Sequence, residues 1–218
     1  METPVRITRH YTFESGSADL LPAFCDYNLA NNGLDFVAEV RRLPKEVKVS
    51  GKNRNAFYLQ SVNRPDDIFM YLKGVLSATD GLAPEQEYKL AFQINFASNS
   101  RNCVGVGGSE SSVWLKAGGS TLEPVPVLQA NNYLTINVDK GHQQEGGKNL
   151  GAIGSIWNGQ DCDEAPRYIL LRRDYEHAFP IRAGSGSAPL WFAVGTESGY
   201  ESLTGVYYYS IAVIAEPC

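Results

Sequence analysis

The sequence lacks the features of several protein classes. It has no run of Lys or Arg longer than the pairs Arg41-Arg42 and Arg172-Arg173, and its formal net charge is −5, which argues against a basic nucleic-acid-binding face. No apolar segment is long enough to span a bilayer. Charged residues are scarce at 20%, but 43% of the 218 residues are hydrophobic, so bulk disorder is also disfavoured.

Internal repeats, low-complexity tracts and long linkers are missing as well, so the simplest organisation is one domain over residues 1–218. What the chain does have is turn residues. Glycine and proline number 21 and 11, somewhat above average usage, and many of them separate short apolar segments. This spacing is typical of a protein with many turns and short strands.

Alternation of apolar and polar residues predicts an all-β fold, a single jelly-roll-like β-sandwich with mostly antiparallel strands. The clearest strand is Tyr88–Phe96, where every second residue is apolar and one face should be buried. The predicted strands are Arg6–Phe13, Val47–Val49, Ala56–Ser61, Phe69–Leu76, Glu87–Ala97, Ser112–Ala117, Tyr133–Asn137, Ile153–Ile156, Tyr168–Arg172, Leu190–Thr196 and Val206–Ile214.

The four cysteines contain no C-x-x-C pair, which disfavours a local zinc or redox motif and favours disulfides. Three pairings are possible, and we expect Cys25–Cys218 and Cys103–Cys162, because the outer two cysteines lie towards the chain ends. The alternative is four reduced, buried cysteines in a cytosolic protein.

The first eight residues show no apolar segment of the kind found in signal peptides. This fits either a cytosolic protein or a protein whose signal was removed. Cysteines suited to disulfides and a content of only two Met favour the second, so we predict an extracytoplasmic location: periplasmic, cell-surface or secreted.

Two polar loops are candidates for a ligand site. Asp139–Asn149 offers Asp139, Lys140, His142 and Gln143 among flexible glycines, as expected of a sugar-binding or metal-binding loop. A second acidic, aromatic turn contains Glu197, Tyr200 and Glu201. If the two loops lie at the same end of the sandwich, they frame one pocket; the alternative is a solvated hairpin connection.

Exposed aromatic rings are the other requirement of a sugar site, because planar rings stack on pyranose faces. Trp114 and Trp157 lie near glycine-rich loops and are the candidates. His142 and His177 are candidate general bases. The glycine-rich segments at 105–108 and 184–187 follow no strand-to-helix pattern, so turns are favoured there over a phosphate site or a nucleophile.

Asp66 and Asp67 form a third acidic turn, whose carboxylates suit either calcium or acid–base catalysis. Adjacent residues of a strand point to opposite faces, so an ion pair between one of these carboxylates and Arg64 or Arg54 is the favoured alternative.

Two segments near the chain ends resemble galactose-binding-like jelly rolls, a family that includes many carbohydrate-binding modules. The first is Tyr11-Thr12-Phe13-Glu14-Ser15-Gly16, with Phe24 and Tyr27 after it; the second is Val206–Val213, which corresponds to the last strand beside the first. The resemblance implies a structural calcium between these strands, with Glu14 as one ligand. Ser210 stands where the late acidic ligand is expected.

Four further blocks are similar to a group of uncharacterised exported bacterial proteins and lipoproteins. They are Asn63-Arg64-Pro65-Asp66-Asp67, Gly105-Val106-Gly107-Gly108, Asp139-Lys140-Gly141-His142-Gln143 and Gly195-Thr196-Glu197-Ser198-Gly199-Tyr200-Glu201. This resemblance implies export and a β fold but no activity.

Together these observations predict a non-catalytic extracytoplasmic binding module, with carbohydrate or a cell-surface glycan as its partner and no nucleic-acid partner. The sequence identifies no certain cofactor, and calcium is the candidate, at Glu14 and Asp66. The alternatives are a glycan hydrolase that uses Asp139, Glu197 or Glu201 with His142, and a calcium-binding surface or structural protein.

Overall fold

Alternating burial along the strands produces a two-sheet sandwich. The computed structural model describes residues 5–64, 67–105, 108–186 and 188–218. In the strand from Glu87 to Ser98, every second side chain from Tyr88 onward is buried and the intervening ones face outward. Antiparallel sheets with one buried face have this pattern, and it confirms the predicted all-β, jelly-roll-like sandwich.

The first sheet is built around the 15-residue closing strand β17. β7 lies on one side of β17 along most of its length, while β5 and then β1 lie on the other side. The pairing of β1 with β17 confirms that the first and last strands are neighbours. The strands of this sheet are β1 (Ile7–Thr12), β4 (Val37–Arg42), β5 (Asn55–Val62), β7 (Glu87–Ser98), β14 (Ile169–Glu176), β15 (Ile181–Arg182) and β17 (Leu203–Pro217).

The second sheet has the strand order β13-β10-β16-β6-β2. Its inward residues meet those of the first sheet in the main core, to which Phe92 and Phe192 contribute facing rings 6.4 Å apart. The strands are β2 (Leu21–Cys25), β6 (Phe69–Leu76), β10 (Val113–Ser120), β13 (Leu150–Ser155) and β16 (Leu190–Ser198).

A third layer covers the outer face of the second sheet. Residues 121–149 connect the neighbouring strands β10 and β13, and we call them the covering segment. They contain β11 (Pro126–Leu128) and β12 (Tyr133–Ile136), which pair with β3 (Tyr27–Asn28) in a small sheet. Ile136 and Val138 of this layer pack with Phe69 and Tyr71 of β6 in a second apolar cluster.

The remaining elements are short. β8 (Val104–Gly105) and β9 (Gly108–Ser109) form a small hairpin, and Ala78–Asp80 and Ala130–Asn132 are single 3-10 turns. Among the described residues, no helix is long and apolar enough to cross a membrane.

Ten of the predicted strands correspond to strands of the structure, and Val47–Val49 is the exception. That segment is a loop in which Val47 packs against the outer face of the first sheet, in a cluster with Leu43 and Tyr58. The sequence prediction missed β2 and β4, which are both edge strands, and the two- or three-residue strands β3, β8, β9, β11 and β15. β2 contains Pro22, a residue that suits an edge but weakens a strand prediction.

The disulfide Cys103–Cys162 is confirmed, whereas the predicted Cys25–Cys218 pair is wrong. Cys25 ends β2 in the second sheet and lies opposite Phe69, while Cys218 follows the last residue of β17 in the first sheet. Because β17 runs the length of the sandwich, Cys218 lies at the opposite end from Cys25. Proximity to the chain termini was therefore a misleading criterion.

Candidate functional site

The two loops predicted to frame a site do meet. Lys140 of the 139–149 loop forms an ion pair with Glu197. Gln143 lies over the turn after β16, where a Cβ at position 199 would stand only 3.1 Å from its side-chain amide, so Gly199 leaves the space that this approach needs. The sequence had suggested that Glu197 belongs to the turn after Thr196, but in the structure it is part of β16.

Where the loops meet, four charged side chains form a buried network beneath the covering segment. Lys116 Nζ lies 2.7 Å from Glu197 Oε2, and Lys140 Nζ contacts Glu197 Oε1 and lies 3.0 Å from Asp26 Oδ2. Lys116 Nζ also donates to the backbone carbonyls of Lys140 and Glu145. The side chains of Lys116 and Glu197 are 0% exposed, so neither is presented to solvent.

Burial shifts the ionisation of this network. It lowers the pKa of Lys116, against the opposing effect of Glu197, and raises the pKa of Asp26, against the opposing effect of Lys140. Burial also works to lower the pKa of Lys140, but Asp26 and Glu197 outweigh it and the pKa is raised. The carboxylates thus hold Lys140 in its charged form, and the network ties the covering segment to the second sheet.

Asp139 stabilises the turn that carries Lys140. Its carboxylate accepts hydrogen bonds from the backbone N–H groups of Lys148 at 2.8 Å and Gly141 at 3.0 Å, and these bonds lower its pKa. A carboxylate committed to its own loop has less capacity left for a ligand. A direct ligand-binding role of Asp139, Lys140 and Glu197 stays a prediction.

One group of side chains at the edge of the network could hold a metal ion. His142 Nδ1 lies 3.8 Å from Asp67 Oδ1 and 3.9 Å from Glu197 Oε1. The ligand atoms of these three residues lie within 4.8 Å of one another. Glu14, the predicted calcium ligand, is exposed in the bend that follows β1 and is not part of this group, and Asp66 lies outside the described residues.

His177 has a structural environment and not that of an accessible general base. Its ring is buried, with Nδ1 3.2 Å from Tyr175 Oη and Nε2 3.0 Å from the carbonyl oxygen of Lys148. Burial lowers its pKa. The ring therefore attaches the 139–149 loop to the segment that follows β14.

A cleft of about 150 Å³ opens at the end of the sandwich where β7, β13 and β16 end. We call this the open end; residues 99–112, 156–168 and 199–202 form its connections. The cleft combines one aromatic ring, one ion pair, polar groups and an apolar base. Its lining residues are Asn99, Ser100, Arg101, Glu110, Val113, Ile156, Pro166, Tyr200, Leu203, Thr204 and Gly205.

Arg101 fixes the shape of the cleft. Its guanidinium donates to both carboxylate oxygens of Glu110, at 2.9 and 3.3 Å, and to the carbonyl oxygens of Cys162 and Glu164 at 3.1 and 3.0 Å. The Cys103–Cys162 disulfide joins the same two connections covalently. The walls of the cleft are thus held in place before any ligand arrives, which lowers the entropic cost of binding.

Tyr200 is the predicted ligand residue that lines this cleft. Its carbonyl oxygen accepts hydrogen bonds from Asn63 Nδ2 and Ser198 Oγ, which fix the turn, and the side chain remains half-buried. Trp157 follows the lining residue Ile156 and is 41% exposed. Glu201 is the exposed residue next to Tyr200.

Trp114 lies elsewhere, on the outer face of the second sheet beside Glu197. It is half-buried, and its place in the strand between Val113 and Leu115 of the core explains its outward direction. The predicted residues therefore divide between the network under the covering segment and the open end.

Sequence reasoning missed Arg101, Glu110, Lys116 and Asp26. The only local signal for Arg101 and Glu110 is their position on either side of Cys103, in a connection that a disulfide was expected to fix. Lys116 lies within a predicted strand, and a lysine on an outward face is normally solvated. The covering segment is what buries it, and the alternation within β10 carries no information about that layer.

No protein-family model matches the sequence, and no curated protein matches it. Similar solved structures include the enzymatically active domain of tailspike protein 4 of bacteriophage CBA120, with 7% identity, a TM-score of 0.39 and coverage of 89% of this chain and 19% of that one. This chain thus spans about a fifth of the tailspike chain.

Two smaller domains align over almost their whole length. The K3 cleaved adhesin domain of Lys-gingipain from Porphyromonas gingivalis w83 has 13% identity and a TM-score of 0.39, with coverage of 94% of this chain and 97% of that one. The xylan-binding domain from CBM 22 has 11% identity and a TM-score of 0.37, with coverage of 93% and 92%. Likeness at this level carries no argument about function.

Proposed function

We propose that this chain is a non-catalytic carbohydrate-binding domain of an extracytoplasmic protein, and that the cleft at the open end receives one terminal sugar ring. The observation that carries the proposal is the composition of the cleft. Tyr200 lines it together with Asn99, Ser100 and Thr204, and the charges of its ion pair, Arg101 with Glu110, cancel.

This composition suits a neutral polyhydroxylated ligand. Hydroxyl groups both donate and accept hydrogen bonds, and the amide and hydroxyl side chains of the cleft do the same. An aromatic ring provides a flat apolar face for the C–H side of a pyranose. At about 150 Å³, the cleft is smaller than the roughly 300–1,000 Å³ pockets of drug-sized ligands, so a single ring fits it better than a longer oligosaccharide.

The location outside the cytoplasm is supported by the disulfide. Cysteine pairs persist in oxidising compartments and are rare in the cytosol. The Cys103–Cys162 bond joins two connections that form the cleft. The proposed site therefore depends on an oxidising compartment, in which this bond persists. Export is also what the resemblance to exported bacterial proteins implies.

The hydrolase alternative has less support in the geometry. Glycoside hydrolysis generally uses two carboxyl groups on either side of the scissile bond. The described lining of the cleft contains one carboxyl group, Glu110, and both its oxygens bind Arg101. Glu197, which the sequence suggested as a catalytic carboxylate, is buried between Lys116 and Lys140 and is out of reach of a substrate.

The proposal is tested by a glycan-array screen of the wild-type chain, followed by calorimetric titration of the glycans retained. Tyr200→Ala should weaken binding by at least about tenfold, which is about 1.4 kcal/mol, because a ring contact contributes about 0.5–1.5 kcal/mol beyond its buried area. Tyr200→Phe keeps the ring and should retain most of the affinity.

Tyr209→Ala is the matched control, since Tyr209 is another half-buried tyrosine but lies on the first sheet, where its hydroxyl donates to the carbonyl oxygen of Asn53. It should bind as the wild type does. The proposal fails if the array retains no glycan, or if Tyr200→Ala binds a retained glycan as tightly as the control variant.

A further inference from the structure

Three separate elements bring Asp67, His142 and Glu197 together. Glu197 lies near the end of β16 and pairs in register with Phe69 at the start of β6, so Asp67 stands two residues before that position. His142 comes from the covering segment, which lies over both strands. The convergence of side chains from three elements distinguishes this group from an acidic cluster within one loop.

The distances between the ligand atoms suit metal coordination after the side chains move slightly closer together. Two of the atom pairs are 3.8 and 3.9 Å apart, and the three ligand atoms lie within 4.8 Å of one another. The His142 side chain is 66% exposed and that of Asp67 is 32% exposed, so both can adjust towards an ion. Glu197 is 0% exposed and fixed, which gives the site one rigid ligand.

The charge of the surrounding side chains is a second, independent reason to expect a cation here. The network and its edge contain three carboxylates, Asp26, Asp67 and Glu197, but only two ammonium groups, Lys116 and Lys140. Without His142, the formal charge of these five side chains is therefore −1. Since much of the network is buried, where charges are poorly screened, a further cation at its edge is favoured.

We propose that Asp67, His142 and Glu197 bind a divalent first-row transition-metal ion such as Zn²⁺. Carboxylates alone would suit calcium or magnesium, but imidazole is a ligand for the zinc group of metals. Three protein ligands leave a coordination position for water, as in zinc sites that are not purely structural. This inference is independent of the proposed carbohydrate function.

Lys140 sets the strength of the site without blocking it. Its ammonium group shares Oε1 of Glu197 with the ion, which is feasible because a carboxylate offers about four lone-pair positions. An ammonium so close to a second cation opposes binding. We therefore expect a labile site that exchanges its metal and not one that the fold requires.

The test is a titration of the chelator-treated full chain with Co²⁺, followed by visible absorption, and with Zn²⁺ in competition. All variants carry Cys218→Ser, because the exposed thiol of Cys218 is a competing metal ligand. His142→Ala and Asp67→Asn should each weaken Co²⁺ binding by about 100-fold or more, since even changes outside the ligand shell cost roughly 10–100-fold.

The matched controls are His10→Ala and Asp19→Asn, an exposed histidine and an exposed aspartate remote from the site. Both should bind Co²⁺ as the Cys218→Ser background does. The proposal is overturned if the background shows no Co²⁺ absorption band, or if His142→Ala binds Co²⁺ as tightly as the His10→Ala control does. It is also overturned if His142 changes only the pH dependence of stability, because the group then takes up a proton and not a metal.

Discussion

Two of the cation–glutamate pairs among the described residues have similar lengths but very different surroundings. Lys116 and Glu197 are 2.7 Å apart with both side chains 0% exposed, beneath the covering segment. Arg101 and Glu110 are 2.9 Å apart with side chains 20% and 18% exposed, at the mouth of the open end. The first pair is closed off by a third layer of structure, whereas the second borders a cleft.

This difference shows that burial, and not the identity of the charges, separates a structural role from a candidate binding role. A buried charge that loses its partner cannot be hydrated, so the pair fastens the covering segment to the sheet. A partly exposed pair can exchange part of its hydrogen bonding with water or with a ligand.

The largest effect should follow from Glu197→Gln. This change leaves Lys116 and Lys140 without their shared carboxylate in a buried site, and we expect the free energy of unfolding to fall by about 3–5 kcal/mol. Glu110→Gln is the matched change at the open end and should cost about 1 kcal/mol or less. Urea unfolding of the two variants measures the difference, and equal losses would refute the role assigned to burial.

A smaller loss should follow from removal of the Cys103–Cys162 disulfide. The two cysteines are 59 residues apart, and bonds of this kind stabilise proteins by about 2–4 kcal/mol. Cys103→Ser with Cys162→Ser should therefore lower the free energy of unfolding by that amount and loosen the cleft. Cys218→Ser, at the other end of the sandwich, is the control and should change neither the free energy of unfolding nor the cleft. An unchanged unfolding midpoint in the double variant would contradict the prediction.

The smallest effect concerns the attachment of the 139–149 loop through His177. Burial lowers the pKa of His177, so below about pH 6.5 the unfolded chain takes up a proton that the folded chain does not. Stability should consequently fall as the pH decreases from about 6.5, and His177→Gln should make this dependence shallower. Urea unfolding between about pH 8 and about pH 5.5 is the measurement.

His10→Gln, on the exposed side of β1, is the control for the pH experiment and should retain the wild-type slope. A steeper or unchanged slope in His177→Gln would show that the buried imidazole is not the group responsible. Comparing the pH slopes of the two variants also distinguishes loss of the loop attachment from a general destabilisation of the sandwich by acid.

The fold was largely predictable because each long strand has one face in the main core. In β7, apolar and other residues alternate from Tyr88 to Phe96 in the same rhythm as buried and outward-facing side chains. The prediction was less successful at the edges, where β4 mixes Glu39 and Arg41 with valines and has no fully buried face. Val47 alternates with Val49 across Lys48, which predicted a strand, although its burial comes from loop packing.

The candidate sites were predictable only in part, for a related reason. Tyr200 stood out because it occupies a polar turn after a buried strand. Lys116 did not, since its burial depends on residues 121–149, which reach it only in three dimensions. Arg101 likewise acquires its role from the carbonyl groups of a connection about 60 residues further along the chain.

The distribution of thiols has a practical consequence. Cys25 is buried, and burial raises the pKa of its thiol, so Cys218 is the one accessible free thiol among the described residues. It follows the last residue of β17, whose 15 residues extend roughly 45 Å from the open end. A maleimide surface would thus immobilise every molecule in the same orientation, with its cleft directed into solution.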